Sequence, residues 1–483
     1  MPPVNPSCRA IARCVQSGGA VRAFSVVLDC ADTMISPDTQ REHNAAVAAQ
    51  EALSMERWSR SRLNADDQAP VAGGGLLDRR LFLKRGLAFS GAGALAWSSG
   101  AAGAEQAALP SLRVPGRGFS NYGQPSEQEK RAIRWISANR AVPGNGVSWS
   151  PLHALEGIIT PSGLHFERHH NGVPDIRIDA HRLLIHGMVE RALTFSLADL
   201  ARYPMRSQML FVECGGNSNS GWNKEPLQSR AGYLHGLASC SEWTGVPLAV
   251  VLDEAGIDPA ARWLIAEGAD AAAIHISIPL KKAMDDCMLA LYQNGERIRP
   301  ENGYPLRLIV PGWEGILSIK WLQRLEVAAE PVMARNETAK YTELLPSGKS
   351  RMFTFVMDAK SVITSPSPGD TLRSHGLYEV RGLAWSGRGR IRRVDVSADA
   401  GKTWAPAQLQ EPVLPMCFTR FRIPWNWRGE TAVLKSRAID ESGYVQPERD
   451  KLVAERGRNG YFHYNAIAAW QVDEDGEVSH AYR

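Results

Sequence analysis

The stretch with the clearest chemical potential is Met209-Leu-Phe-Val-Glu-Cys-Gly-Gly-Asn-Ser218, centred on Cys214. Extended-favouring residues run into Glu213-Cys214, and a Gly215-Gly216-Asn217 turn follows at once. A strand ending in Gly-Gly-Asn sets its last side chain at a strand tip, where backbone can approach a ligand closely. A thiolate there is a soft donor suited to a soft metal centre. By itself the window fits a small buried packing cysteine better than a ligand. The motifs around it reverse that balance.

Upstream lie Leu184-Ile-His-Gly-Met-Val189, Phe195-Ser-Leu-Ala-Asp-Leu200 and Tyr203-Pro204. Downstream come Glu242-Trp-Thr-Gly-Val-Pro-Leu248, Asn302-Gly-Tyr-Pro-Leu-Arg-Leu-Ile-Val-Pro-Gly312 and Ser318-Ile-Lys-Trp321. This ordered series, from about Phe166 to the C-terminus, resembles the sulfite oxidase family of molybdopterin enzymes. The resemblance implies a molybdenum-molybdopterin cofactor with Cys214 as the one protein ligand to the metal.

The rest of the site follows from the same resemblance. Phe166-Glu-Arg-His-His170, with Glu167, Arg168 and His169 between its ends, is similar to the segment that wraps the cofactor. Arg168 in that register reaches the metal's oxo or substrate side. Asp270 matches an acid that hydrogen-bonds the pterin, and Asn302 falls in a cofactor-binding motif. Arg307 and Lys320 match phosphate and pterin contacts, with Ser318 and Ile319 lending backbone groups. A pterin phosphate needs such cationic, hydrogen-bonding partners. Tyr341 takes the place of the active-site tyrosine, whose phenol would hydrogen-bond developing charge.

Three departures bear on substrate. An Arg expected five residues after the cysteine is Asn219, a family His is Asn302, and the expected C-terminal Arg region reads Arg458-Asn-Gly-Tyr461. Removing guanidinium forks disfavours free sulfite, a dianion that wants bidentate cations. The pattern is similar to the sulfane dehydrogenase branch of bacterial thiosulfate-oxidising (Sox) systems, through Trp222-Asn-Lys-Glu225, Cys240-Ser-Glu-Trp-Thr-Gly-Val-Pro-Leu248 and Lys340-Tyr-Thr-Glu-Leu-Leu-Pro-Ser-Gly-Lys349. That likeness implies oxidation of sulfane sulfur on a carrier-protein cysteine, electrons passing to a c-type cytochrome. It also implies a homodimer core assembled with the cytochrome into a heterotetramer. The alternatives are a periplasmic sulfite dehydrogenase acting on free sulfite, a methionine sulfoxide reductase, and a non-catalytic scaffold. The reductase type is a short chain without a second domain.

These residues need a scaffold, and the 483-residue chain can build two or three domains. Its 44% hydrophobic and 22% charged residues are those of a soluble globular protein, and a net charge of +4 gives no argument for nucleic acid. Seven cysteines at irregular spacing form no disulfide framework, no zinc pair and no Cys-x-x-Cys-His haem attachment, so electrons require a partner. Residues 1–78 lack a period and are expected to be largely disordered. Arg79-Arg80, the small apolar run 86–97 and Ala102-Gly-Ala104 read as a twin-arginine export leader to the periplasm, too short for a permanent membrane span. A leader normally stands near the start, so Met55 is the expected true start.

Residues 105–125 read as a linker or arm, and 127–139 as a short helix with Ile133 and Ile136 on one face. The molybdopterin domain is expected over 126–342 and is α+β, with few, irregularly placed helices. It includes strands near 182–186, 208–213, 263–267, 274–278, 288–292 and 306–310, and helices at 196–201 and 248–255. Over 343–478 short alternating strands and turns predict an immunoglobulin-like sandwich, which resembles the family's dimerisation domain.

Overall fold

The computed structural model of the chain describes residues 70–78, 119–129, 132–458 and 460–482. The leader read over 79–104, and the proposed start at Met55, lie outside them.

The N-terminal half is built on two antiparallel-rich sheets. One runs His275–Pro279, Trp263–Gly268, Leu322–Ala328, Leu183–Gly187, Leu193–Phe195, with a single parallel pairing between its third and fourth strands. The other runs Glu296–Arg297, Met288–Gln293, Ala238–Pro247, Arg206–Glu213, and Arg307–Ile309 joins the side of Met288–Gln293. Helices Leu248–Ala255 and Leu280–Asp285 bury Leu248, Val251, Leu252 and Ala283 against the first sheet's core. Ser196 opens the helix Leu197–Leu200: its hydroxyl accepts from the Asp199 N–H, and the Asp199 carboxylate accepts from the Ser196 N–H, a capping box.

From Lys360 onward two sheets pack face to face. The first carries Lys360–Ser365, Gly376–Trp385 and Thr419–Trp427; the second carries Ile391–Ser397, Ala432–Asp440, Ala469–Val472 and Val478–Ala481. Trp385, Trp425, Trp427 and Trp470 are almost fully buried between them. The α+β half followed by a β-sandwich is the architecture expected from the strand and turn pattern.

Two expectations are corrected. The 127–139 segment is not one helix: a 3-10 turn spans Glu127–Glu129, and Trp135–Ala138 is a strand antiparallel to Gly146–Trp149. Ile133 and Ile136 are exposed, so no helical face is buried, and the β-favouring Trp135-Ile136 pair instead completes a three-stranded sheet with Glu167–His169. The expectation of disorder over 1–78 fails for Pro70–Leu77, which forms two short strands; Leu76 pairs with Trp425 at the sandwich edge and is fully buried.

The two halves meet behind the Cys214 turn. Glu213 is fully buried, and its carboxylate accepts from Lys360 Nζ (2.5 Å), Asn217 Nδ2 (2.9 Å) and Trp385 Nε1 (2.7 Å). Lys360 and Trp385 belong to the sandwich. Cys240 Sγ lies 3.4 Å from Cys417 Sγ in the same junction; both are free thiols, and Cys240 is a packing residue there. Lys360→Met strands a buried carboxylate and is expected to lower stability by ~3–5 kcal/mol. Adding Glu213→Gln recovers part of that loss, which thermal unfolding of the single and double variants measures.

Candidate active site

A cavity with an empty volume of about 700 Å³ opens beside the Cys214 turn. That lies within the ~300–1,000 Å³ usual for cofactor and small-molecule clefts. Of the residues singled out from sequence, Phe166, Arg168, His169, His170, Cys214, Asp270, Asn302, Arg307, Ser318, Ile319, Lys320 and Tyr341 line it. Glu167 does not: it turns away from the cavity to accept from Arg134 and from His169 Nε2 (2.7 Å), and so holds the His169 ring.

Strand Arg206–Glu213 delivers the cysteine. The Cys214 N–H donates to Leu237 O (2.9 Å), its carbonyl accepts from the Asn217 N–H (2.8 Å), and Asn217 Oδ1 accepts from the Leu237 N–H (3.0 Å). Gly215 leaves room for Glu314, whose Oε1 would stand 1.7 Å from a Cβ there, so a larger residue would displace that carboxylate. Ser218, Trp321 and His463 are non-glycine residues with φ near +60°, and all three flank the turn or the cavity. Cys214 lies deep in the fold with a small opening on the cavity; burial pushes its thiol up to about 11, against which the Gly216 backbone hydrogen bond and then Arg168 act.

Two basic residues also line the cavity. Arg307 is buried, donating to Asn302 O (3.0 Å) and Ser318 O (3.3 Å) and lying over the Trp243 ring, and among the described residues no carboxylate forms an ion pair with it. Burial lowers it to about 9. Lys320 Nζ donates to Arg168 O, Glu301 O and His169 Nδ1 (2.8 Å); burial, then Arg307, drives it well below the usual lysine range. His170 is lowered to about 4 by burial and by Arg168, and is a neutral ring at pH 7. Arg307 and Lys320 repel one another, and Glu167 and Asp270 offset this only at a distance, so an anion bound between the two would be favoured. Asn302 Oδ1 is buried with no partner, an acceptor awaiting a donor, while Asn302 Nδ2 is satisfied by Ser162 O and Gln293 Oε1.

This donor set fits a molybdopterin: a thiol for the metal, two basic side chains for a phosphate, and Asp270 and Asn302 for a polar ring. Cys214 would hold the metal, and Arg307 with Lys320 the phosphate.

Several neighbours escaped the sequence reading. Glu314 is buried with Oε1 unpartnered, and its Oε2 lies 3.4 Å from His463 Nε2. The His463 N–H donates to Gly215 O (2.8 Å), and Phe462 stacks on Tyr341 at 5.0 Å. Tyr461 approaches Gly216. The C-terminal segment thus folds over the cysteine turn. An acid between aromatic and glycine in Trp313-Glu314-Gly315, and the cluster Tyr461-Phe462-His463, were the available signals. Asn219 and Arg458 are not on the cavity wall, and Arg458 is exposed.

Comparison with known proteins accords with this site. Residues 170–335 match the oxidoreductase molybdopterin binding domain, and residues 351–469 the Mo-co oxidoreductase dimerisation domain. Fold and site together define a molybdopterin-dependent oxidoreductase. Mitochondrial sulfite oxidase of Rattus norvegicus is 32% identical over 323 residues, 62% of this chain and 59% of that protein. Inducible nitrate reductase 1 (NADH) of Glycine max is 31% identical over 66% of this chain and 41% of that protein. The match therefore spans well under two thirds of these relatives' own lengths. The solved structure of the sulfane dehydrogenase SoxCD from Paracoccus pantotrophus aligns with a TM-score of 0.72 and 45% identity, covering 80% of this chain and 96% of that one. The chain belongs to the sulfite oxidase family of molybdopterin enzymes.

Two outcomes follow from the cavity electrostatics. Arg307→Met is expected to cut retained molybdenum about ten- to a hundredfold, the range for losing a hydrogen bond to a charged group. The same change leaves the cofactor-free protein no less stable, since an unpaired buried cation has gone; metal analysis and thermal melts read the two effects. In cofactor-free protein, Cys214 is expected to resist iodoacetamide at pH 8 and to react as pH approaches about 11, where its thiolate forms.

Proposed function

We propose that this enzyme oxidises sulfane sulfur carried on a partner protein's cysteine, acting in the periplasm after twin-arginine export and delivering electrons to a c-type cytochrome. The observation that carries this reading is the wall beside Cys214. Arg168 is the cation that bears on the thiol, while Tyr341, stacked on Phe462, and the half-exposed Tyr461 stand close by. A free sulfite dianion is best held by several guanidinium forks. A terminal persulfide sulfur carries one charge on a polarizable atom and arrives on a peptide arm, which an aromatic lip suits. The likeness to a sulfane dehydrogenase supports the same substrate class.

The overall change is R–S–S⁻ + 3 H₂O → R–S–SO₃⁻ + 6 H⁺ + 6 e⁻, taken as three two-electron steps. The molybdenum cofactor, when bound, supplies oxygen transfer and accepts each electron pair. The chain supplies the surroundings. Cys214 holds the metal at a fixed strand tip. Arg168 offers positive charge to the oxyanion that grows on sulfur. The Tyr341 phenol is kept protonated by burial and by Cys214 and Glu314 nearby, so it can donate a hydrogen bond to that charge. Phe462 fixes the Tyr341 ring, and His169 and His170, held neutral chiefly by burial, add no competing cation near neutral pH. No described helix is long and apolar enough to cross a membrane. The dimerisation-domain match supports a homodimer, with the cytochrome completing a heterotetramer.

The test compares cytochrome reduction by free sulfite with reduction by a persulfidated carrier protein, together with molybdenum content. Turnover with the carrier alone is expected. Rapid turnover with free sulfite would move the assignment to sulfite dehydrogenase. Cys214→Ser is expected to abolish both activities with an unchanged melting temperature for the cofactor-free chain.

A further inference from the structure

The segment Pro70–Leu77 sits where no function has yet been given to it. Its sequence, Pro-Val-Ala-Gly-Gly-Gly-Leu-Leu, ends two residues before Arg79-Arg80. Ala72 and Leu76 pack into the sandwich core, and Leu76 is fully buried. The Gly73 N–H donates to Thr403 Oγ1 (2.7 Å), Trp425 Nε1 donates to Gly74 O, and Leu76 pairs with Trp425.

The seat admits glycine only. A Cβ on Gly73 would meet Asp399 Oδ2 at 2.2 Å, on Gly74 the Ala398 carbonyl at 2.7 Å, and on Gly75 the Asn426 carbonyl at 2.2 Å. Gly74 and Gly75 also have φ of +68° and +84°, which side-chain-bearing residues rarely adopt. The receiving loop is itself braced, with Asp399 accepting from the Thr403 hydroxyl (2.6 Å), the Thr403 N–H (2.9 Å) and the Ser397 hydroxyl (2.7 Å).

This seat draws on both layers. Trp425 and Asn426 belong to the first sheet, whereas Ala398, Asp399 and Thr403 follow the second sheet's strand Ile391–Ser397. It therefore exists only when the two sheets have packed. Gln408–Leu409 covers the Phe421–Arg422 part of the same strand edge, and Leu76 covers the part at Trp425. An uncovered edge of this kind is a template for pairing with another chain.

We propose that Pro70–Leu77 is a folding-dependent clasp, by which the export leader of the precursor docks on its own finished sandwich and seals the strand edge at Trp425 until the leader is removed. The clasp rests on the leader reading: cleavage after Ala104 would take Pro70–Leu77 away and vacate the seat. It ties the twin arginine to a surface that an unfolded sandwich cannot offer.

Hydrogen exchange on the full-length precursor tests this. In the wild type, amides of 70–77 and 423–427 are expected to be protected together. Leu76→Asp and, separately, Gly75→Val should raise exchange in both stretches on the order of tenfold or more, while Gly123→Val, which meets nothing within 4 Å, should change neither. Random-coil exchange of 70–77 in the wild type would overturn the clasp, as would full protection of both stretches in both variants. Protection of 423–427 that depends on protein concentration, with 70–77 unprotected, would assign the edge to a second copy and also overturn it. Replacing Arg79 and Arg80 by Lys separates the two readings. Cytoplasmic retention of that variant with 70–77 still protected supports both, whereas its export removes the leader reading and leaves the exchange result to decide the docking.

Discussion

Glu213 and Cys214 are neighbours that face opposite ways, and the buried pair Glu213–Lys360 fixes which way each one faces. Successive side chains of a strand alternate sides, so seating Glu213 against Lys360 and Trp385 of the sandwich turns Cys214 toward the cavity. The carboxylate is fully satisfied, because a third donor, Asn217 Nδ2, comes from the cysteine turn itself. Lys360 Nζ also reaches Ser218 Oγ, which in turn meets His235 Nδ1. The turn is thus held from behind by the second domain. A buried ion pair is weak evidence for net stability, since desolvation offsets much of its attraction; its use here is positional. The sandwich is part of the candidate site in the literal sense that the cysteine turn is anchored to it.

The front of the site is held differently. Arg307 and Lys320 lie where neither has a carboxylate at bonding distance, and burial disfavours the charge on both. Backbone carbonyls of Asn302, Ser318, Glu301 and Arg168 accept their protons, which orients the cations without neutralising them. A phosphate arriving there gains two preoriented donors in a site poorly screened by water. At the other end, a thiol raised by burial must lose its proton to bind a metal, so cofactor uptake is linked to proton release. Cofactor binding and the stability of the loaded site are one process.

Local patterns reported what is locally determined. The capping box at Ser196, the helix Leu248–Ala255 and the strand entering Cys214 follow from cap chemistry, periodicity and a Gly-Gly-Asn stop, and the residues taken from the motif register, Glu167 excepted, converge on one cavity. What escaped is set by long-range pairing. Trp135–Ala138 carries an ambiguous apolar spacing that Gly146–Trp149 resolves as a strand. Pro70–Leu77 has no periodicity, and only the seat built by Trp425 and Asp399 gives it structure. Lys360 reads as a surface lysine before Val362; its burial depends on Glu213, 147 residues earlier.

The aromatic wall beside Cys214 belongs to this second class. Tyr341 comes from the end of the first domain, whereas Tyr461, Phe462 and His463 come from a non-repetitive stretch after the helix Arg449–Arg456. That helix is itself tied to the domain boundary by the buried Arg456–Glu343 pair, two residues from Tyr341. A change in the sandwich's C-terminal segment therefore alters the aromatic wall beside Cys214 without touching a cofactor contact. The cavity is built by different parts of the chain: the cysteine turn and the Arg307–Lys320 wall line it, and the C-terminal segment folds over the turn.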